Sequence, residues 1–449
     1  MTSIQKKILF ATICISTFAF SYAQEFIDEP TGIKKHASII REVREDSWLV
    51  YTTYDDFAWF TWVDHGSLSY LQTHTLQNMN TLQVSDFEIL DGEYVFYCGR
   101  RRDYVGGPWK GVFGQFTLTD IITGNTFDEF TIELDVWPTK LEVFRVRNEV
   151  HLAMVANPSL NRVSKPTPKG YIFDAYGTGS YPSSWNIKCA ANDTLIYDDI
   201  AVTEKYVIAT GRDALYGNDG YIVSFDRPLP GSYFIPSVSC VYPHFKVPYD
   251  VADTVLIEAC DSDYVATATY SMATNSIVVT AYHNTTLYAT VMMHPLSGVS
   301  PLLQIRDIKY NPFSRTLNLL QHFLYNGEFS SVIFHLDPSL ANPGVYPTTV
   351  KGNAFIDHKL SSIDRLLYNP NHIIASGHEM YPVENTWLLV YQHRELLYGN
   401  CSRIFDNECF FHEKDNQKIG YWLDITNPRF AHNMPPRTDN ADFVDPICR

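Results

Sequence analysis

Three short apolar runs recur in a fixed order along this chain, and they constrain its fold more than any other feature. Asp86-Phe-Glu-Ile-Leu90 is followed by Tyr94-Val-Phe-Tyr-Cys-Gly99 and then by Gly111-Val-Phe-Gly-Gln-Phe-Thr-Leu118. The same order returns at Asp199-Ile-Ala-Val202, Tyr206-Val-Ile-Ala-Thr-Gly211 and Gly220-Tyr-Ile-Val-Ser-Phe-Asp226. It returns again at Asp364-Arg-Leu-Leu367, His372-Ile-Ile-Ala-Ser-Gly377 and Thr386-Trp-Leu-Leu-Val-Tyr391. From Asp to Gly the three copies measure 13, 12 and 13 residues. Runs rich in Val, Ile, Tyr, Phe and Thr, broken by Gly, Pro, Asn and Asp, form strands and turns rather than helices. Looser copies centre on Trp48-Leu-Val-Tyr51, Val150-His-Leu-Ala-Met154, Val255-Leu-Ile-Glu-Ala259 and Leu317-Asn-Leu-Leu320.

First strands starting near residues 38, 86, 140, 199, 250, 307 and 364 give steps of 48 to 59 residues. A period of about 50 residues with three or four strands per unit is the arithmetic of a β-propeller blade. One such sheet cannot bury both faces, whereas a closed ring gives every sheet two neighbours and leaves no long open edge. The expectation is therefore an all-β propeller over residues 37–396, of seven blades, with six or eight also compatible because the third and fifth copies are degenerate. The repeat resembles those of secreted bacterial β-propellers across roughly four-fifths of the chain. The resemblance implies a fold and not an activity, since propellers host many unrelated functions. Repeated Trp-Asp dipeptides, kelch-type Gly-Gly blades and sialidase-type boxes do not occur.

The ends of the chain read differently. Lys6 and Lys7 precede an apolar run, Ile8–Phe20, and Ser21-Tyr22-Ala23 offers small residues for cleavage. This is the plan of a secretory signal peptide, of the kind found in Gram-negative bacteria, over residues 1–23. Ile13 stands before Cys14, so no lipoprotein anchor is expected. The expectation is an exported protein, periplasmic or extracellular, with no transmembrane segment in the mature chain. Residues 24–36 form a short lead. Residues 397–449 break the period, carry Pro428, Pro435, Pro436 and Pro446, and read as a loop-rich tail packed on the ring. Cleavage leaves seven cysteines, an odd number; Cys401 and Cys409 are the best disulfide candidates, while Cys98 and Cys260 end apolar runs and read as small buried hydrophobes.

Composition bears mainly on partners. The 449 residues carry a net charge of −16. Loss of residues 1–23 removes two lysines and no acid, deepening it to −18. Such a chain is not expected to bind nucleic acid, which demands clustered Lys and Arg. The sequence holds no His-Glu-x-x-His pair, Gly-x-Ser-x-Gly elbow or phosphate-cradling glycine loop. No metal ligand set is recognised and no cofactor is expected. The oxygen-rich stretches Asp213–Gly220 and Asp439–Asp442 are the places a Ca²⁺ ion would suit, although neither matches an EF-hand loop.

The repeat itself nominates the candidate site. If each second strand ends at Gly99, Gly211 and Gly377, the residues that follow start equivalent loops on one face. These are Arg100, Arg101 and Arg102; Arg212 and Asp213; His378 and Glu379. Asp55 and Asp56 hold that place in the first unit, and Asp261 and Asp263 align with it in the fifth. A mixed-charge face suits a polar ligand, since Arg clamps carboxylate or sulfate bidentately. Trp59, Trp62, Trp109, Trp137 and Trp185 lie near loops and suit either sugar stacking or packing between sheets. The expected function is a binding or scaffold protein for a glycan or an envelope protein. The alternative is a polysaccharide-acting hydrolase or lyase, with a pair such as Asp213 and Asp261 as acid and base. Asp86, Asp199, Asp307 and Asp364 recur beside apolar runs and read as structural, bonding turn N–H groups.

Overall fold

The computed structural model describes strands and tight turns between residues 38 and 424. Outside the described residues lie 1–37, 425–449, and the connections 159–168, 175–182, 187–194, 228–243, 294–299, 337–349, 366–371 and 393–420, with several shorter ones. Twenty-eight strands, β1 to β28, and one short helix, α1 (Leu118–Thr123), make up the described structure. Among the described residues no helix is long and apolar enough to cross a membrane. The strands form seven four-stranded antiparallel sheets among the described residues, each from consecutive strands. The innermost strands are β1 (Ser38–Arg44), β5 (Leu82–Leu90), β9 (Val136–Val146), β13 (Leu195–Val202), β17 (Val255–Ala259), β21 (Ser300–Asn311) and β25 (His358–Arg365). Each packs on the next, and β25 packs on β1, so the sheets close into a ring. This is the β-propeller expected from the repeat.

The strand sequences explain why the sheets stack. In β6 (Tyr94–Arg101) the residues Val95 to Arg100 are buried without interruption, because both faces of the sheet meet a neighbour. In β18 (Tyr264–Ser271) every residue after Tyr264 is buried, and the small Ala and Thr side chains allow close approach. Between the first and second sheets, Phe60 sits at the centre of an aromatic cluster. Its ring lies 5.2 Å from Phe87, edge-on, 5.2 Å from Tyr51 and 5.0 Å from Phe116. Such edge-to-face contacts add to the hydrophobic burial of each ring. Cys98 is a buried free thiol among Phe96, Leu141, Leu152 and Met154, and Cys260 is partly buried. Cys401 and Cys409 lie outside the described residues.

Side chains also pin the seams through backbone groups. The Leu141 amide donates to Asp86 Oδ2 at 3.4 Å, Ile257 to Asp199 at 2.9 Å, Ile363 to Asp307 at 3.0 Å, and Glu42 to Asp364 at 2.8 Å. The Tyr310 amide donates likewise to Glu258 Oε1 at 3.1 Å. In all five, an inner-strand carboxylate reaches the next sheet's inner strand. Asn157 exchanges two hydrogen bonds with the Tyr197 backbone, and the Val84 amide donates to the Tyr51 hydroxyl. The recurrent aspartates are therefore structural, but they bridge sheets rather than cap turns. Asp86, Asp199 and Asp307 follow register shifts, and each also accepts its own next amide at 3.0 Å. Gly99 and Gly211 face those shifts, where a Cβ would fall 2.0 Å from the Gln83 carbonyl and 2.4 Å from the Ile196 carbonyl. The recurring Asp-to-Gly interval is thus the register of the first hairpin. In the seventh sheet Ser362, not Asp364, follows the shift, and its hydroxyl donates to Asp307 at 2.8 Å.

The stretch read as a tail contributes to the ring. Tyr421–Asp424 (β28) pairs antiparallel with β27 (Asn385–Gln392) and completes the last sheet. Four residues inside a proline- and cysteine-rich stretch carry too little periodicity to be read as a strand. Among the described residues the first and last sheets exchange no strand, and packing and the Asp364–Glu42 bond contribute to the seam between them.

Asp364→Ala and Asp307→Ala should each lower stability by about 1–3 kcal/mol, the cost of a buried donor left without an acceptor. Asp103→Ala, at an exposed position, should leave the thermal midpoint nearly unchanged. Equal midpoints for all three would show that the seam bonds contribute nothing.

Candidate functional site

Two arrangements of charge stand out, one along the ring axis and one at the end of the second sheet. On the axis, alternate inner-strand residues from different sheets converge. Arg41 donates to Asp86 at 2.9 Å and to Glu88 at 2.7 Å, and Lys140 lies 3.9 Å from Asp86. Lys309 lies 3.9 Å from Glu258 and also acts electrostatically on Glu88, three sheets away around the ring, which requires both to face the axis. Burial opposes the Arg41 charge, but Glu88, Asp86, Asp364 and Asp307 outweigh it and hold the guanidinium firmly protonated. Burial likewise opposes charge on Lys140 and Lys309, and the surrounding carboxylates again prevail.

The axial acids divide. Burial opposes the Asp307 charge, yet Lys309, Lys140 and Arg41 hold its pKa below the usual carboxylate value. Burial pushes Asp199 up to about 6, because Lys140 and the amides of Ile257 and Ile200 only partly offset it. Glu142 is raised well above its ordinary value by burial first and by Glu88 second. Asp199 and Asp307 each accept an amide of the next sheet, whereas Glu142 lies mainly among other carboxylates. Among the described residues no group of three or more His, Cys, Asp or Glu is arranged to hold a metal ion.

The second arrangement surrounds the loop between β6 and β7 (Lys110–Thr117). The Arg100 guanidinium carbon lies 3.9 Å from the Trp137 ring and 4.4 Å from the Trp109 ring, and Arg102 lies 4.5 Å from Trp109. Trp137, Arg100, Trp109 and Arg102 thus form an alternating stack of indole and guanidinium. Arg100 is only 6% exposed, and its Nε donates to Gln83 at 2.8 Å. The Trp137 indole donates to Ser85 at 2.5 Å. Arg101 pairs with Glu129 at 2.6 Å, and Lys110 with Asp103 at 2.7 Å. Arg100 is therefore an internal pillar of the loop, and Arg101 and Arg102 stand nearer its surface.

The other nominated residues are placed as follows. Arg212 and Asp213 end β14 (Tyr206–Asp213), and Arg212 pairs with Asp198 at 3.3 Å. His378 and Glu379 end β26 (His372–Glu379). Both strands are second strands of their sheets, as β6 is. Asp55 and Asp56 lie outside the described residues, between β2 (Ser47–Tyr54) and β3 (Phe57–Asp64). Asp261 and Asp263 also lie outside them, in the link from β17 to β18. Of the oxygen-rich stretches, residues 214–218 and 439–442 lie outside the described residues. Sequence reasoning misses Arg41, Lys140, Lys309, Glu88, Glu142 and Glu258. Their signal is a charge interrupting an apolar first strand two residues from, or level with, the repeated Asp.

The class defined by this geometry is the β-propeller. No protein-family model matches the chain, and no curated protein does. Solved structures similar in shape include the BP39L lectin from Burkholderia pseudomallei, with 8% identity, TM-score 0.49, and 80% of this chain and 96% of that one covered. The β-propeller domain of the Trilobed protease from Pyrococcus furiosus shows 9% identity, TM-score 0.43, and coverage of 78% and 95%. A structure from an analysis of two prolyl endopeptidases shows 11% identity and TM-score 0.49; it covers 94% of this chain, which spans 58% of that one. At these identities the likeness is one of fold alone.

The axial acids make stability depend on pH. Asp199, with its pKa raised in the folded state, adds stability that is fully present below its unfolded value near 3.8 and is lost as pH rises through about 6. Asp307 has the opposite sign: its contribution is present above 3.8 and is lost as pH falls through its lowered value. Asp199→Asn should therefore gain on the wild type as pH is raised from 4 to 7, measured by thermal melts. A melting difference that stays flat over that range would exclude a desolvated carboxylate at this position.

Proposed function

We propose that the protein is an exported binding module that presents the face carrying the second-to-third-strand loops to a glycan or an envelope protein. The single observation that carries this reading is the indole–guanidinium stack beneath the β6–β7 loop. Stacked, hydrogen-bonded and ion-paired groups hold a recognition loop in one conformation before a ligand arrives, which lowers the ordering cost of binding. Asp86, Asp199, Asp307, Asp364 and Glu258, in contrast, accept amides of the next sheet, an arrangement that serves the ring. Export to the periplasm or the cell exterior follows from the segment 1–23, whose charged start, apolar run and small-residue end suit a signal peptide.

The chain lacking residues 1–23 should bind a discrete subset of a glycan microarray or a purified envelope protein. Arg101→Ala combined with Arg212→Ala should weaken that binding at least tenfold while the thermal midpoint holds. Retained affinity in the double variant, or chain cleavage of a bound polysaccharide, would overturn the reading.

A further inference from the structure

The tip of the β6–β7 loop carries two of the three large hydrophobic residues exposed among the described residues. Tyr104 is 64% and Val105 65% exposed. Their position is built rather than incidental. The Gly107 amide donates to the Tyr104 carbonyl at 2.9 Å, closing a turn. Gly106 occupies that turn with φ +85°, a conformation in which a side chain is strained. At Gly107 a Cβ would meet the Tyr104 ring at 3.2 Å and its carbonyl at 3.0 Å, so the ring lies against bare backbone. One side of the tyrosine is thus supported by the turn while most of the ring faces solvent.

The charge of the loop that carries this ring is the reverse of the molecule's. Arg100, Arg101, Arg102 and Lys110 stand at the loop against Asp103 and Glu129, a local excess of two positive charges on a chain of net −16. The Arg102 guanidinium carbon lies 4.5 Å over the Trp109 ring, and a guanidinium stacked by its face keeps its N–H donors at its edge, the groups that clamp an oxyanion. A flat aromatic surface suits the C–H face of a pyranose, and an adjacent guanidinium suits a carboxylate or sulfate on it. A chain this acidic repels polyanions at a distance, so a local cationic spot on it marks specific recognition rather than general attraction.

We propose that the β6–β7 loop is a subsite for an anionic sugar residue, with Tyr104 as the stacking platform and Arg102, supported by Trp109 and Arg100, as the oxyanion clamp. The proposal rests on the glycan form of the binding-module reading and names its ligand class. Tyr104 and Arg102 would touch the sugar, while Arg100 and Gly107 are positioning residues.

The test is calorimetric titration of the chain lacking residues 1–23 with oligogalacturonate, with dextran sulfate and with neutral dextran. One acidic ligand should bind, with affinity falling as salt rises, and neutral dextran should bind at least tenfold more weakly. The preferred acid identifies carboxylate or sulfate as the anion. Tyr104→Ala and Arg102→Gln should each lower affinity at least tenfold with an unchanged melting midpoint, and Arg102→Gln should also flatten the salt dependence. Gly107→Val, which pushes the Tyr104 ring off its support, should weaken binding with every ligand-contacting side chain still present. Equal affinity for neutral and acidic polymers, or full affinity in Tyr104→Ala, overturns the proposal. If a neutral glycan or a protein binds and depends on Arg212 but not on Tyr104, the binding-module reading stands and this subsite falls. If neither glycan nor envelope protein binds, both fall.

Discussion

The whole molecule depends on carboxylates that reach from one sheet to the backbone of the next. A four-stranded sheet has two apolar faces and cannot satisfy them alone, so the ring is the only arrangement in which each sheet is buried on both sides. Packing of apolar faces, however, has no direction, and it would tolerate sliding of one sheet over its neighbour. Hydrogen bonds such as those from Ile257 to Asp199 and from Ile363 to Asp307 are directional and fix the rise between sheets. This matters most where the chain ends meet. Among the described residues no strand crosses from the last sheet to the first, and the bond from the Glu42 amide to Asp364 acts on that seam together with packing.

Gathering these carboxylates at the axis creates a second problem, which the inner strands solve with cations. Asp86 lies between Arg41 and Lys140, and Glu258 lies near Lys309. The three cations come from sheets one, three and six, so no single hairpin contains a balanced set. Neutralisation is a property of the closed ring. Where the balance is incomplete, as at Asp199 and Glu142, burial raises the carboxyl pKa, and the ring acquires a dependence on pH that an isolated sheet would lack.

Much of the architecture is legible in the sequence. Sheet starts at residues 38, 82, 136, 195, 255, 300 and 358 fall within seven residues of those that the repeat predicts. The reason is local: β-branched and aromatic runs mark strands, and the Asp-to-Gly interval reflects the register across one hairpin. The repeat misleads where the local signal is weak or shifted. In the fifth sheet β17 is only five residues long, and the copy there is degenerate. The repeat aligns Asp364 with Asp86 although Ser362 holds that place, since the spacing alone does not reveal which residue follows the shift. The Arg100–Arg102 run is visible in the sequence, but its division into a buried pillar and a surface clamp is not. That division depends on Trp137, which the next sheet supplies.

By itself, then, the sequence determined the strands, the period, the closed architecture and the face on which the arginine loop emerges. Each follows from short-range periodicity and from the need to bury two faces of every sheet. Only the tertiary structure decided which charges meet at the axis, which arginine is enclosed between indoles, and which aromatic is left in solvent on a glycine turn. Those outcomes depend on contacts between sheets, and no local pattern records which side chains a closed ring will bring face to face.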